Sequence, residues 1–254
     1  MSYQQTFRVF IGAMAGVAIL FSAAHAESAK EIVKKSDENY RGVSSYAEMT
    51  MTIVKPDWSR EMSLKMWSKG DDYGVVLVTA PPRDKGTVTL KRINEVWNWV
   101  PSIERVIKIP PSMMMQSWLG SDFTNDDLVK QSSIVKDYIH TLTGDTVIDG
   151  HACHVITMIP KEHAPVVWGK ILSYITKEHY IQLRSEMFDE DGYLSKILTS
   201  SNIQTFGKRQ LPVHWEMLPA EKPDQKTVMD YREWQFDMPM DDTFFSQQNM
   251  RRVR

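Results

Sequence analysis

Three groups of residues in this sequence have types and spacings that chemistry can use. His151, Cys153 and His154 offer nitrogen and sulfur ligands of the kind that zinc binds. They lie in a run that predicts a strand, where neighbouring side chains face opposite ways, so His154 is directed away from the other two. Three ligands therefore cannot converge on one metal ion, and we expect Cys153 to be a small buried apolar residue.

Acidic residues form the other two groups. The run Asp189-Glu190-Asp191-Gly192 lacks the glycine position and the downstream acidic ligand of an EF-hand loop, so a hairpin turn is expected. Asp122, Asp126 and Asp127 carry carboxylates suited to acid–base catalysis, but the sequence places no histidine or second carboxylate opposite them. Thr124-x-x-Asp127 instead matches a capping box at the start of a helix. We predict no catalytic residue, no metal and no cofactor.

Motifs for nucleotide binding and for common catalytic sites are missing from the sequence. It contains neither G-x-x-x-x-G-K-[ST] nor G-x-G-x-x-G, and neither G-x-S-x-G nor H-E-x-x-H. With 30 Lys and Arg against 32 Asp and Glu, the formal net charge of -2 leaves no basic excess to neutralise phosphates. These observations argue against an enzyme of these classes and against a nucleic-acid partner.

Apolar side chains form a more distinctive pattern. The sequence contains 16 Met and 8 Trp residues, and several recur at every second position of predicted strands, which directs them to one face of a sheet. Flexible thioethers and broad aromatic rings suit a cavity that accepts varied apolar partners. We therefore predict that a cargo-binding cavity on the concave face of the sheet is lined by Met49, Met51, Ile53, Met62, Leu64, Met66, Trp97, Trp99, Trp215 and Met217.

The N-terminal residues have the pattern of a secretory signal peptide. Arg8 precedes an uncharged apolar run over residues 9–22, and Ala24-His25-Ala26 has the small-x-small pattern of a cleavage site. The apolar run is shorter than the roughly 20 residues of a membrane-spanning helix. The single cysteine lies far from the cleavage site, so lipid attachment there is not expected. We predict a signal peptide over residues 1–26 and a soluble, exported protein over residues 27–254.

The elements that must position the apolar stripes are mainly strands. One helix is predicted over residues 27–41, and an irregular segment with short helical turns over residues 110–130. Alternating runs predict strands over residues 46–53, 62–66, 73–79, 87–93, 95–100, 105–109, 141–148, 151–159, 170–176, 180–188, 194–206, 213–218 and 227–236. Asp149-Gly150 suits a type I′ hairpin turn.

No linker, composition break or repeat divides these strands, so we expect one domain over residues 27–254. We predict a mainly β fold with few helices: a curved, half-closed antiparallel barrel of about ten or eleven strands, capped by the N-terminal helix and the mid-chain segment. A helix of about 15 residues is only about 22 Å long, so it cannot cover one face of such a sheet. Loops or an apolar cavity must account for the remaining area.

Several motifs resemble those of one protein family. They are the nonapeptide GSDFTNDDL at residues 120–128, the Asp149-Gly150 turn before the Cys153 strand, the Asp191-Gly192 turn before Leu194-Ser195-Lys196, and Leu211-Pro212-Val213. With them, essentially the whole predicted mature chain resembles the outer-membrane lipoprotein-sorting family, the LolA-like periplasmic proteins of Gram-negative bacteria. Six residues of the nonapeptide belong to this family motif without an assigned role: Gly120, Ser121, Asp122, Phe123, Asp126 and Asp127.

The resemblance implies a half-closed barrel whose concave face holds the acyl chains of lipoproteins or lipids on their way to the outer membrane. It also implies a periplasmic location and, for some members, an association with inner-membrane transporters of the resistance-nodulation-division type. We therefore expect a carrier or chaperone whose partner is an acylated lipoprotein or a lipid. A lipid-sensing or transporter-accessory module that regulates a membrane partner is a second hypothesis, and an enzyme acting on lipids is a third.

Overall fold

A computed structural model describes residues 27–130 and 133–253, so the predicted signal peptide at residues 1–26 lies outside the described residues. Two α-helices are present in the described part: α1 (Ala29–Arg41) and α2 (Asn125–Lys130). The strands are β1 (Ser44–Lys55), β2 (Trp58–Lys69), β3 (Tyr73–Ala80), β4 (Val88–Arg92), β5 (Glu95–Val100), β6 (Arg105–Lys108), β7 (Tyr138–Ile148), β8 (His151–Pro160), β9 (Lys170–Thr176), β10 (Gln182–Phe188), β11 (Leu194–Phe206), β12 (Arg209–Pro219) and β13 (Lys226–Phe236).

The strands form one antiparallel sheet in the order β6-β5-β4-β3-β2-β1-β13-β12-β11-β10-β9-β8-β7. The first and last strands pair at its centre, and β6 and β7 form its two edges. The predicted mainly β, curved and half-open antiparallel barrel is confirmed. The sheet has 13 strands rather than the expected ten or eleven. Each of the thirteen predicted runs forms a strand, so the expected total of ten or eleven undercounted those runs.

Tight turns set the register of the hairpins. Lys55 pairs with Trp58, so only two residues connect β1 to β2. Between β7 and β8, Asp149 and Gly150 have φ angles of 48° and 81°, the positive values that a type I′ turn requires. Because side chains alternate across a strand, this register decides which residues share a face.

Helix α1 begins and ends at residues suited to those positions. Ser28 is its N-cap and forms a capping box with Glu31, which satisfies backbone donors that the first turn leaves unpaired. Gly42 ends the helix with a φ of +62°, and a Cβ atom there would lie 2.7 Å from Asp237 Oδ1. Glycine is therefore required for both backbone and space. The apolar side of α1 presents Ile32 and Val33 to the sheet, where both are buried.

Different segments cover the two faces of the sheet. We call the face under α1 the inner face; it is also covered by the strap, which we define as residues 110–130. The opposite, outer face is covered near β3 to β5 by the C-terminal segment, residues 237–253. From this segment Phe245, Met250 and Val253 pack against the sheet, and Phe245 is fully buried.

Candidate functional site

The inner face carries two separate apolar cores. The first lies under α1, where Ile32 and Val33 pack with Ile156, Met158 and other residues of β8 to β12. The second lies under the strap, where Trp118 packs on the buried side chains of β1 to β3. Phe123 of the strap contacts both cores. Neither cover reaches across the whole face, so a seam remains between the two cores.

A cavity of about 320 Å³ occupies this seam. Its volume falls within the range of about 300–1,000 Å³ that is typical of small-molecule sites. Its wall combines residues from α1, the strap and both halves of the sheet. Six methionines line it: Met49, Met66, Met158, Met187, Met217 and Met229. Aromatic rings complete much of the wall: Tyr40, Trp118, Phe123, Tyr138, Trp168, Trp215, Tyr231 and Trp234.

The ten residues predicted from the sequence separate into three groups. Four of them line the cavity: Met49, Met66, Trp215 and Met217. Four others lie on the same inner face but are packed under the strap, outside the cavity wall, at no more than 1% exposure: Met51, Ile53, Met62 and Leu64. Their predicted place in the wall is therefore corrected, because the strap brings Trp118 and Leu128 onto this part of the face.

Trp97 and Trp99 were assigned to the wrong face. The ladder pairs Trp97 with Leu90, and both pack with Phe245 of the C-terminal segment on the outer face. Trp99 lies on the same side, where the Arg251 guanidinium is 5.1 Å from its ring centroid. Val96 takes the inner side instead and packs with Ile109. Apolar residues thus cover both faces of β5, so the sequence alternation does not identify the inner one.

Other wall residues were not predicted, although some left a signal in the sequence. Met158 follows Ile156 at period two, as Met187 follows Ser185, and Met229 precedes Tyr231 at the same spacing. Trp234 does not continue the period-two spacing of Met229 and Tyr231, because the β1–β13 register shifts between Glu48 and Met49. Its ring stacks on Tyr231 with centroids 4.3 Å apart.

The strap is attached to the sheet by the acidic residues of the family motif. Lys55 Nζ lies 2.5 Å from Asp122 Oδ1, and Lys196 Nζ lies 2.9 Å from Asp127 Oδ2. Both pairs are largely buried, with side-chain exposures between 8% and 16%. Thr124 and Asp127 form the predicted capping box, since each backbone N–H donates to the other's side chain. These carboxylates therefore bind lysines and cap α2.

The glycine and serine of the motif shape the turn before α2. Gly120 has a φ of +82°, which favours glycine. The buried Ser121 hydroxyl donates to the Trp118 carbonyl at 2.7 Å and accepts from the Phe123 N–H at 3.2 Å. This turn places Trp118 and Phe123 against the inner face, and Trp118 Nε1 donates to Thr89 Oγ1 at 3.1 Å.

One end of the cavity is polar. Arg41 and Asp37, one turn apart on α1, both line the wall, and Arg41 Nε donates to Asp37 Oδ1 at 2.7 Å. Lys91 of β4 lines the same end and donates to the Asp71 carbonyl at 2.7 Å. Burial lowers the pKa of Lys91 to about 8 and raises the pKa of Asp37 above its ordinary value. Charged groups thus adjoin a wall that is largely apolar but also includes Asp126 and Asp127 of the strap.

The remaining candidate groups take structural positions. Cys153 is fully buried against Ile181 and Leu183, and His154 contacts Asp145. Asp189 lies in the turn between β10 and β11, where its side chain accepts from the Tyr193 N–H. Over residues 27–130 and 133–253, no cluster of three or more His, Cys, Asp or Glu residues has a geometry that could hold a metal ion. No helix in these same ranges is both long and apolar enough to cross a membrane.

Comparisons with known proteins place the chain among LolA-like folds. A family model described as "-like: Uncharacterized protein" matches residues 70–252. No curated protein matches the sequence. A DUF1329 family protein from Desulfovibrio piger is similar in structure with a TM-score of 0.80 and 22% identity, covering 87% of this chain and 97% of that one.

Two further crystal structures are similar. A putative outer membrane lipoprotein-sorting protein domain from Vibrio parahaemolyticus has a TM-score of 0.77 at 21% identity, with 88% of this chain and 98% of that chain covered. A LolA superfamily protein from Nitrosomonas europaea has a TM-score of 0.74 at 21% identity, with 88% and 99% covered. The predicted LolA-like resemblance is confirmed at the level of the fold. The chain belongs to the family of uncharacterized proteins that the matching model describes, and its fold is that of LolA-superfamily proteins.

Proposed function

We propose that this protein is a carrier or chaperone that binds the acyl chains of lipoproteins or lipids in the cavity between its two inner cores. The observation that carries the proposal is the methionine-rich wall of that cavity. Methionine side chains adapt to partners of different shape, which suits a site that must accept and release a flexible chain. The wall supplies binding area without any of the catalytic motifs sought in the sequence.

The energetics support an apolar occupant. Protein interiors are normally close-packed, and atoms that line a gap lose dispersion contacts. The apolar side chains that line the cavity of about 320 Å³ would be removed from water when an apolar chain binds there, which is favourable. An acyl chain gains about 0.8 kcal/mol for each methylene that it buries, before the cost of ordering the chain. A chain bound in the seam would replace water against this apolar wall.

We further propose that the protein works in the periplasm and transfers its cargo toward the outer membrane. The predicted signal peptide supports export, and a structural relative described as a putative outer membrane lipoprotein-sorting protein domain supports this class of cargo. In this proposal an acylated lipoprotein or a free lipid is the cargo, and an inner-membrane transporter is the donor. Native mass spectrometry of protein purified from its own cell envelope would identify the cargo that remains bound.

A cavity-filling substitution tests the proposal. Ala47 of β1 is buried and lines the cavity, so Ala47→Phe places a ring where the chain would lie. Ala152 of β8 is exposed, and Ala152→Phe is the matched control. We expect Ala47→Phe to reduce the affinity for a fluorescent long-chain fatty acid by at least about tenfold, which corresponds to about 1.4 kcal/mol. Parent-like binding by a folded Ala47→Phe variant would contradict the proposal.

A further inference from the structure

The polar end of the cavity contains an arginine whose hydrogen-bonding capacity is only partly used. Arg41 has 15% side-chain exposure, and its Nε donates to Asp37 at 2.7 Å. Its Nε also lies 3.9 Å from Asp71 Oδ1. Among residues 27–130 and 133–253, the two terminal amino groups of Arg41 have no hydrogen-bond partner. The guanidinium is fixed in place by Asp37 and still has N–H donors available beside the cavity. Such a group is suited to bind a ligand that carries hydrogen-bond acceptors.

We propose that Arg41, with Lys91 beside it, forms a subsite for an anionic head group of the amphiphile whose chain occupies the cavity. This inference rests on the proposed function and narrows its ligand class. The ligand would be an acyl amphiphile with a carboxylate or phosphate head rather than a neutral one. The chemistry common to both heads is a pair of oxygen acceptors on one negatively charged centre, which matches the planar fork of an arginine.

Cationic side chains at this end of the cavity favour an anionic ligand. Two cations, Arg41 and Lys91, line the cavity together with the Asp37 carboxylate; the other acidic lining residues, Asp126 and Asp127, belong to the strap, and Asp127 is paired with Lys196. Asp71 does not line the cavity; its carboxylate contacts Lys136 at 3.0 Å, and its carbonyl accepts from Lys91. Burial raises the pKa of Asp37 above its ordinary value. Arg41 and Lys91 thus supply two cationic donors at this end of the cavity.

The position of Arg41 in the cavity wall explains why one site would bind both the head group and the acyl chain of the ligand. Arg41 is the last residue of α1, next to Gly42, which ends the helix. The same cavity wall includes Met49, Met217 and Met229 on β1, β12 and β13. A head group held at Arg41 would place its chain along these side chains, where the wall is apolar.

Paired probes with the same chain and different heads test the inference. The probes are a fluorescent long-chain fatty acid, its methyl ester, and a lysophospholipid with a phosphate monoester head. We expect the parent protein to bind the acid or the phosphate monoester at least about tenfold more tightly than the ester, because only charged heads use the Arg41 fork. The tighter of the two anionic probes distinguishes a carboxylate head from a phosphate head.

Arg41→Gln should reduce this preference to no more than the severalfold part that Lys91 supplies, and should leave ester binding within about twofold of the parent. Arg184→Gln is the matched control, because Arg184 Nε also binds a carboxylate at 2.7 Å but does not line the cavity. Should Arg41→Gln leave Asp37 unpaired and fail to fold, the double variant Asp37→Asn/Arg41→Gln removes both charges together. The head preference of the parent is measured independently of either variant.

The outcomes separate this inference from the proposed function. Equal binding of acid, phosphate monoester and ester by the parent overturns the head-group subsite but leaves acyl binding intact. Equal weakening of all probes by Arg41→Gln also overturns it, since Arg41 would then act on the structure alone. If inorganic phosphate alone binds as tightly as the amphiphiles, the site is one for a free anion and the inference is wrong. If none of the acyl probes binds, the proposed function fails and the subsite with it.

Discussion

Asp122 and Thr227, 105 residues apart in the chain, exchange two hydrogen bonds. The Asp122 N–H donates to Thr227 Oγ1 at 2.9 Å, and the Thr227 hydroxyl donates to Asp122 Oδ2 at 2.7 Å. Lys55 of β1 contacts the other carboxylate oxygen of the same aspartate. The strap is therefore attached to the two strands, β1 and β13, that join the halves of the sheet.

Replacing Thr227 tests this attachment. Thr227→Val keeps the shape of a fully buried side chain but removes both hydrogen bonds, so we expect a loss of about 1–3 kcal/mol in the free energy of unfolding. Urea denaturation of the variant and the parent measures the difference. Thr205 of β11 is exposed, so Thr205→Val should change stability by less than about 0.5 kcal/mol. Equal losses of stability at both positions would contradict a structural role for the two hydrogen bonds between Asp122 and Thr227.

Met51 and Met66 lie on the same inner face yet should respond differently to a charge. Met51 has 0% exposure under the strap, so Met51→Glu should cost several kcal/mol of stability or force the carboxyl to protonate. Met66 is only half-buried and lines the cavity, where water can solvate a carboxylate, so Met66→Glu should fold and lose acyl binding. Thermal unfolding and fatty-acid titration of both variants check this. Similar losses of stability at the two positions would show that the seam is packed core.

Much of the fold is predictable because alternating strands dominate it. The stripes of β1 and β2 set their register and their buried face, and the two positive φ angles at Asp149 and Gly150 follow from that dipeptide. The C-terminal segment was not predicted, because its apolar residues form only short 3₁₀ turns without a helical or strand period. Its contact with β3 to β5 is long-range, and local pattern does not report such contacts.

The sequence predicts the apolar character of the cavity but only some of the residues that line it. The excess of Met and Trp indicates an apolar cavity, and Met49 and Met217 lie in its wall. The sequence does not show where the strap lies, so Met62 and Leu64 look equivalent to Met49 until Trp118 is seen to cover them. Arg41 was missed because it looks like an ordinary basic residue at the end of a helix.

Phe245 tests the role of the outer face. Phe245 has 0% exposure in the C-terminal segment, so Phe245→Ala should cost about 3–5 kcal/mol of unfolding free energy. Because it lies on the face opposite the cavity, the affinity of any folded variant for an acyl probe should stay within about twofold of the parent. Tyr193→Ala, at a side chain with 70% exposure, serves as the control for stability. A selective loss of acyl binding in Phe245→Ala would show that the outer face belongs to the site.

The proposed head-group subsite predicts that binding of the anionic probe depends on pH through Lys91. Its pKa of about 8 reflects burial and the nearby Arg41, opposed by Asp71, Asp72 and Asp37. The lysine is charged below that pH and neutral above it, so affinity for the fluorescent acid should fall severalfold between about pH 7 and about pH 9. Affinity for the methyl ester should stay constant. Lys91→Met should abolish the slope, and a slope that persists in this variant would assign it to another group.

The same shift predicts how stability depends on pH. The folded-state pKa of Lys91 lies below its ordinary value of 10.5, so the unfolded chain binds more protons between about pH 8 and that value. The contribution of Lys91 to stability should therefore increase as the pH rises through this window. Comparing the denaturation midpoints of the parent and Lys91→Met across these pH values isolates it. A contribution that decreases with pH would mean that the lysine is stabilised in its charged form.

The most direct test of the central claim is a methyl NMR titration of protein labelled at its methionine methyl groups, with a long-chain fatty acid as ligand. We predict that the six wall residues change chemical shift: Met49, Met66, Met158, Met187, Met217 and Met229. Met51 and Met62 under the strap and Met250 on the outer face should stay unchanged. No shift at the six methyl groups, or shifts confined to the exposed Met113 and Met115, would contradict acyl binding in the cavity.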